Sequence, residues 1–402
     1  MKQLSRTFVG FCGLTLLALG LLWIAGTSDK TRLHTAKSAV GDISTLSHKE
    51  SRASLKIDSP SNNGRLTISD PKRAFPGFTT YAESGTERVL LLNMQGETVH
   101  TWHVDAMRAR LLPSCNLLVI HGTKYGARNE PWRTLKYTVR EYDWEGGVAW
   151  EYTSKKRIHH DVQRLANGNT LFPLRTVIPK DLVANLADPA RRNLTIRSDN
   201  IIEVTSQGDR AWFWEAHRSL DVNNCGRQGC NGADRTDWTH INTTAIIPEN
   251  KWYEQGDKRF QPGNLMLMLR NWSTALIIDK KSGDPVWEYE GDYNGGISGG
   301  HEVQMIEKGL PGEGNILIFD NGRKIHEGES YVIEINPVTK EIVWIYENGT
   351  DFFSHAAGSM QRFPNGNTLI SEDVTGRVFE VTPDREIVWE YRGDLRIARA
   401  QR

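Results

Sequence analysis

Twelve histidines are spread over 402 residues, and three of them recur at a similar place in a repeated pattern. His160 precedes Asp-Val-Gln-Arg, His301 precedes Glu-Val-Gln-Met, and His240 precedes Ile-Asn-Thr-Thr. Each stands where a strand is expected to begin, just after a tryptophan-bearing segment. Imidazole titrates at about 6.5, so near neutral pH it can serve as nucleophile, acid, base or metal ligand. Asn242 lies two residues after His240, which puts both side chains on one face of a strand. Arg270 ends the apolar run Leu265–Leu269, an odd place for a charge. Its guanidinium either pairs with a nearby carboxylate or clamps an anion. His355 is placed to reach the same region from a loop. Asp161 or Glu302 beside these imidazoles would also suit zinc. A fixed Arg270 cation next to a dication is unfavourable, so no metal is expected.

The elements that must position these residues come from a repeat. A short apolar strand, a polar turn and a strand ending in Trp recur at Val89–Trp102, Val139–Trp150, Ile201–Trp214, Ala275–Trp287, Tyr331–Trp344 and Val378–Trp389. Alternation within these strands suits half-buried sheets, and the tryptophans suit packing between neighbouring sheets. A second half follows each Trp: a turn such as Asn167-Gly-Asn169, Glu313-Gly-Asn315 or Asn365-Gly-Asn367, then an apolar strand. Gly and Asn tolerate the positive φ of tight hairpins. Each unit is thus four strands long, the size of one propeller blade. There are six Trp halves but five turn halves, so the strand-like segment 75–84 is expected to help close the ring from the other end of the chain. The fold class expected is all-β: a six-bladed β-propeller over residues 71–402. The first strand of each blade lines the central channel, which would bring the three imidazoles to the axis.

The remaining sequence bounds the setting. Lys2 and Arg6 precede an uncharged apolar run, so residues 1–27 are expected to be an uncleaved signal anchor crossing a membrane as a single transmembrane helix. Residues 28–70, polar and without a period, are expected to be a flexible stalk. The positive flank stays inside, which would leave the catalytic domain extracytoplasmic, either periplasmic or extracellular. Cys225 and Cys230 flank Gly-Arg-Gln-Gly and are expected to form a disulfide there. Lys and Arg together number 49, as do Asp and Glu. This balance gives no electrostatic reason to expect nucleic acid as a partner.

The strings His159-His160-Asp161, Leu165-Ala-Asn-Gly-Asn-Thr-Leu171, Asp237-Trp-Thr-His-Ile-Asn242, Leu269-Arg-Asn271, Gly300-His301-Glu302 and Phe319-Asp-Asn-Gly322 occur in that order. On them the chain resembles the bacterial arylsulfate sulfotransferases over roughly residues 75–395. The resemblance implies a six-bladed propeller that moves sulfuryl groups between phenols by a ping-pong route, with no nucleotide donor and no cofactor. It implies His301 as the nucleophile that becomes sulfated, His240 as partner acid and base, and Arg270, Asn242 and His160 as holders of the sulfuryl oxygens. Aryl sulfates and phenols are then the small-molecule partners. A neutral imidazole can attack a sulfate monoester without adding charge to its anionic periphery. Arg and Asn donors can meet the charge that spreads over the oxygens in transfer. No Gly-x-x-x-x-Gly-Lys-Ser/Thr loop is present to cradle a phosphonucleotide. The competing expectations are a metal-dependent hydrolase and a non-catalytic, membrane-tethered propeller that binds a ligand or a partner protein.

Overall fold

The computed structural model describes residues 64–402, apart from 228, 231–233, 324 and 327. A leading strand, β1 (Arg65–Ser69), is followed by six sheets in chain order. The first blade holds β2 (Thr79–Ser84), β3 (Glu87–Leu92) and β4 (Thr98–Trp102). The second holds β5 (Arg108–Leu111), β6 (Leu117–Ile120), β7 (Thr138–Tyr142) and β8 (Val148–Thr153). The third holds β9 (Gln163–Arg164), β10 (Thr170–Val177), β11 (Arg197–Val204) and β12 (Arg210–Glu215). The fourth holds β13 (Ile241–Ile246), β14 (Leu265–Leu269), β15 (Thr274–Ile278) and β16 (Pro285–Tyr289). The fifth holds β17 (Glu302–Met305), β18 (Ile316–Asp320), β19 (Tyr331–Ile335) and β20 (Ile342–Tyr346). The sixth holds β21 (Ser359–Arg362), β22 (Thr368–Glu372), β23 (Arg377–Val381) and β24 (Ile387–Arg392). All the ladders are antiparallel, and the middle strands, such as β14 and β18, are buried along their whole length. Their near-continuous Leu, Ile and Met content follows from having a neighbouring blade on both faces. This is the six-bladed propeller.

The two ends of the propeller cross to shut the ring. β1 pairs with β24 and becomes the outer, fifth strand of the last blade. The C-terminal segment runs the other way and pairs with β2 of the first blade, through Thr80 opposite Gln401 and Glu83 opposite Ile397. The first blade thereby gains its fourth, innermost strand, and neither terminal sheet is left with a bare inner edge.

A side-chain unit repeated around the ring explains the motifs. In four blades the Asn that ends the turn, after a glycine or, in the second blade, after Cys115, donates to a Glu across the sheet: Asn116 to Glu141, Asn169 to Glu203, Asn315 to Glu334 and Asn367 to Glu380, all at 2.6–2.7 Å. A cation closes each unit by pairing with that Glu: Arg164, Lys280, Arg362 and Arg402 in turn. The same four cations lie over Trp150, Trp212, Trp344 and Trp389. Each tryptophan then donates its indole N–H to a carbonyl in the next blade. The series is Trp102 to Asp143, Trp150 to Ser206, Trp212 to Lys280, Trp287 to Pro337, Trp344 to Pro383 and Trp389 to Met94. The repeat in the third blade is therefore carried by Trp212, opposite Glu203. Trp214 also donates to the fourth blade, at Gly283. The last bond of the series, from Trp389, joins the sixth blade to the first. Trp389 is fully buried, so Trp389→Ala is expected to cost about 3–5 kcal/mol, measured as a lower urea midpoint.

Part of the expected architecture is corrected. The all-β propeller stands, whereas the membrane-spanning helix has no counterpart among the described residues. Among the described residues no helix is long and apolar enough to cross a membrane. The longest α-helix there, Lys180–Ala184, has 5 residues, against about 20 needed for a bilayer. The anchor expected at residues 1–27 lies outside the described residues. Membrane attachment and an extracytoplasmic location therefore have no structural basis among the residues described. Within the stretch expected to be stalk, Arg65–Ser69 is a paired strand.

Candidate active site

His160 and His301 occupy the same place in their blades. Each stands five residues before the N–H that closes the following hairpin, Leu165 to Asn169 and Ile306 to Asn315. The fourth blade differs. Counting back from the Ile247 to Asn264 bond, Asn242 takes that place, and His240 stands two residues upstream of it, next to a register shift between Ile241 and Thr243. The backbone adopts φ 61 at His160 and φ 52 at His240. This left-handed conformation is uncommon for side-chain-bearing residues and clusters at functional sites. It brings the His160 and His240 ring centroids to 4.7 Å. The charge of His240 would be felt at both His160 and His301, and that of His301 at His160, so the three imidazoles share one electrostatic neighbourhood.

The hydrogen bonds around His301 determine its tautomer. Asn321 donates its amide nitrogen to Ser354 O at 2.6 Å and Ala357 O at 2.7 Å, so its Oδ1 must face the other way. That oxygen lies 2.6 Å from His301 Nδ1, and Gly299 O lies 3.2 Å from the same nitrogen. With acceptors on both sides, Nδ1 carries the proton and Nε2 keeps a lone pair. Burial first, then the Arg399 cation, pushes the His301 imidazole well below its ordinary range. The Asn321 bond opposes this, and Arg270 and His240 reinforce it. His301 is thus a neutral ring with one free nucleophilic nitrogen.

His240 is held differently. Its Nδ1 donates to Asp237 Oδ2 at 2.5 Å, three residues back in the Asp-Trp-Thr-His string. Burial raises the Asp237 carboxyl, but the bond and charge of His240, with Arg197 and Arg270, outweigh that and bring it to about 2. Burial lowers the His240 imidazole and the Asp237 bond opposes it. Nε2 of His240 is left to exchange a proton. His160 leans on His159, the two Nδ1 atoms 2.6 Å apart, and His159 Nε2 sits 3.0 Å from Asp199. Asp199 also accepts from Thr239 Oγ1 and the Ile241 N–H, so one carboxylate anchors the entry to both histidine-bearing strands.

Arg270 reaches this cluster because it extends the β13–β14 ladder, its N–H bonded to His240 O. Its guanidinium sits 3.6 Å from Asp237 Oδ2, and Nε and Nη2 both donate to Asn271 Oδ1. Burial lowers its pKa to about 10, so it stays charged at neutral pH. Beside Arg270 and Asp237 opens a cavity of about 160 Å³, walled also by Arg191, Trp238, Arg323 and Cys230. Cys230 is bonded to Cys225, with Cα atoms 5.0 Å apart.

Of the residues expected at the site, Arg270 alone lines this cavity; His160, His240, His301, Asn242 and His355 do not. Asn242 is fully buried and donates to Gly300 O at 3.2 Å, so it braces the turn before His301. His355 is exposed and rests against Phe353, its neighbour Ser354 being the residue held by Asn321. Sequence reasoning quoted Asp237 and Asn321 within motifs but assigned them no role. An acidic residue three before a histidine was the available signal for Asp237. Among the described residues, no group of three or more His, Cys, Asp or Glu is arranged to hold a metal ion.

The site predicts a graded response at Arg270. Lysine keeps the charge but loses the planar fork. Arg270→Lys is therefore expected to lower kcat/KM about tenfold, and Arg270→Gln about 10²–10³-fold, in a steady-state assay with an aryl sulfate donor.

No curated protein matches the chain. Among solved structures, a Bacteroides caccae protein of unknown function superposes with a TM-score of 0.48 at 14% identity, covering 81% of this chain and 98% of its own. A streptogramin B lyase does so with a TM-score of 0.45 at 12% identity, covering 84% and 85%. Likenesses this distant carry nothing about activity. The arylsulfotransferase (ASST) family model, in contrast, matches residues 138–394, well over half the chain and the span that holds all three clustered imidazoles. The chain belongs to the arylsulfotransferase family.

Proposed function

We propose that this enzyme transfers a sulfuryl group from a phenolic sulfate ester to a phenolic acceptor through a sulfated His301, in a ping-pong sequence with no nucleotide donor. The observation that carries this reading is the His301 ring, its Nδ1–H spent on Asn321 and its neutral Nε2 left free, in a neighbourhood where the charges of Arg270 and His240 act on the ring. Family membership supports an enzyme of this general kind.

In the first half, His301 Nε2 forms a bond to sulfur as the bond from sulfur to the aryl oxygen breaks. The departing phenolate takes the proton held at His240 Nε2. The sulfated ring carries an extra positive charge, which the Nδ1–H bond to Asn321 Oδ1 spreads. Arg270 faces the sulfuryl oxygens, where negative charge gathers in transfer. In the second half, the acceptor phenol gives its proton to His240 Nε2 and its oxygen bonds to sulfur as the N–S bond breaks. Asp237 stabilises the imidazolium so formed, and that proton serves the next leaving group. Acid–base help of this kind is worth about 10²–10⁴-fold.

The test is 4-nitrophenyl sulfate with and without a phenol. Nitrophenol release that depends on the acceptor, and a protein adduct of one sulfuryl group after donor alone, are expected. Neither release nor adduct across several aryl sulfates would sink the proposal.

A further inference from the structure

Arg399 belongs to the C-terminal segment that completes the first blade, yet it ends at the axis among residues of every other blade. Its side chain is buried and its backbone sits at φ 52. Nη2 donates to Asn242 O in the fourth blade at 2.7 Å and reaches His301 O in the fifth at 3.4 Å. Nη1 lies 3.6 Å from Glu302 and 3.9 Å from Asp161 of the third blade, without a hydrogen-bond partner of its own. Its N–H donates to Asp373 in the sixth blade, and its carbonyl accepts from Arg108 of the second. A fork of donors in fixed geometry suits such a hub. A buried cation with an unspent donor, in a strained backbone, is costly unless the surroundings over-determine it.

We propose that Arg399 is a positioning residue for His301: the closing tail delivers it under the histidine cluster, so the transfer site is assembled only when the propeller ring is shut. The proposal rests on the sulfuryl-transfer reading for its kinetic part. Gripping the Asn242 and His301 carbonyls together fixes where the His301 ring stands relative to the fourth blade, which carries His240 and Arg270. Misplacing a reacting group by about 1 Å can cost about 10²-fold. The charged and titratable groups around His301 are Arg399, Arg270, His240 and His160, with Glu302 next in the chain. Arg108 and Asp161 lie beyond Glu302, and Asp373 holds the tail. Removing a cation from this set raises the proton affinity of the ring.

Arg402 supplies the comparison. It sits in the same tail and ties it to Thr79, Phe75 O and Glu380, away from the histidines. The full chain and its R399M, R399K and R402M forms are compared in two ways. One is kcat and KM with 4-nitrophenyl sulfate. The other is the pH midpoint at which His301 reacts with diethyl pyrocarbonate, a reagent for neutral imidazole, read by peptide mass. R399M is expected to lose about 10²-fold in kcat with a smaller change in KM, and to move the midpoint to higher pH. R399K keeps the charge but not the fork, so it is expected to lose about tenfold in kcat with the midpoint held. R402M is expected to leave both near the parent values. R399M no slower than R402M and with an unmoved midpoint overturns the proposal. Should R399M not fold, R399K at full kcat overturns it. A parent enzyme that transfers nothing sinks the sulfuryl-transfer reading alone, because the midpoint comparison needs no turnover.

Discussion

His301→Ala is expected to lose sulfuryl transfer by roughly 10⁴-fold or more, the scale seen when a covalent nucleophile is removed. The fold is expected to survive. The lost side chain leaves Asn321 Oδ1 without its partner, which costs about 1–3 kcal/mol, while the ring of tryptophan bonds is untouched. Circular dichroism and a urea titration check the fold, and the donor assay checks the rate. The variant should also fail to gain a sulfuryl adduct from donor alone. A His301→Ala enzyme that turns over at the parent rate removes the nucleophile from the mechanism.

Asp237→Asn is expected to give the second largest loss, about 10²–10⁴-fold in kcat, because the neutral amide no longer stabilises the His240 imidazolium or sets its tautomer. The defect should shrink for acceptor phenols acidic enough to be ionised already, since these need no base. A loss equal across all acceptors would point to misfolding rather than acid–base failure. The same substitution carries a stability signature. The Asp237 carboxyl is held at about 2 in the folded chain against an ordinary 3.8. Its folded pKa is depressed, so its contribution is present above about pH 3.8 and is lost as the pH falls toward 2. After solvent screening it amounts to roughly 1–2 kcal/mol. Unfolding curves of parent and variant are therefore expected to differ at pH 7 and to converge near pH 2.

Much of this was legible in the chain itself. Trp at the end of a strand and Asn after a turn glycine are local patterns, repeated because each blade must bond to the next in the same way. That repetition gave the blade count and put His160 and His301 in phase. It also misled in particular places. Trp214 sits in the repeated pattern by spacing, but the strand register opposes Trp212 to Glu203. His240 looked to be in phase with the other two histidines, yet it stands two residues upstream of the matching place, with a one-residue bulge at Asn242 between. A bulge re-aims side chains without leaving a mark that spacing can reveal.

What the sequence by itself determined is the repeat, hence the propeller, and the chemical types gathered at the start of its inner strands: imidazoles, an amide and a guanidinium. The tertiary structure decided which of them share a site and in what state. Asn321 orients the His301 lone pair from the end of β18, Asp237 claims His240 within one turn, and Asn242 turns inward to brace Gly300. Arg399 arrives from the far end of the chain. Strand periodicity reads only contacts along and between neighbouring strands, whereas the His301 tautomer depends on Asn321, 20 residues on, and its lowered pKa in part on Arg399, 98 residues on.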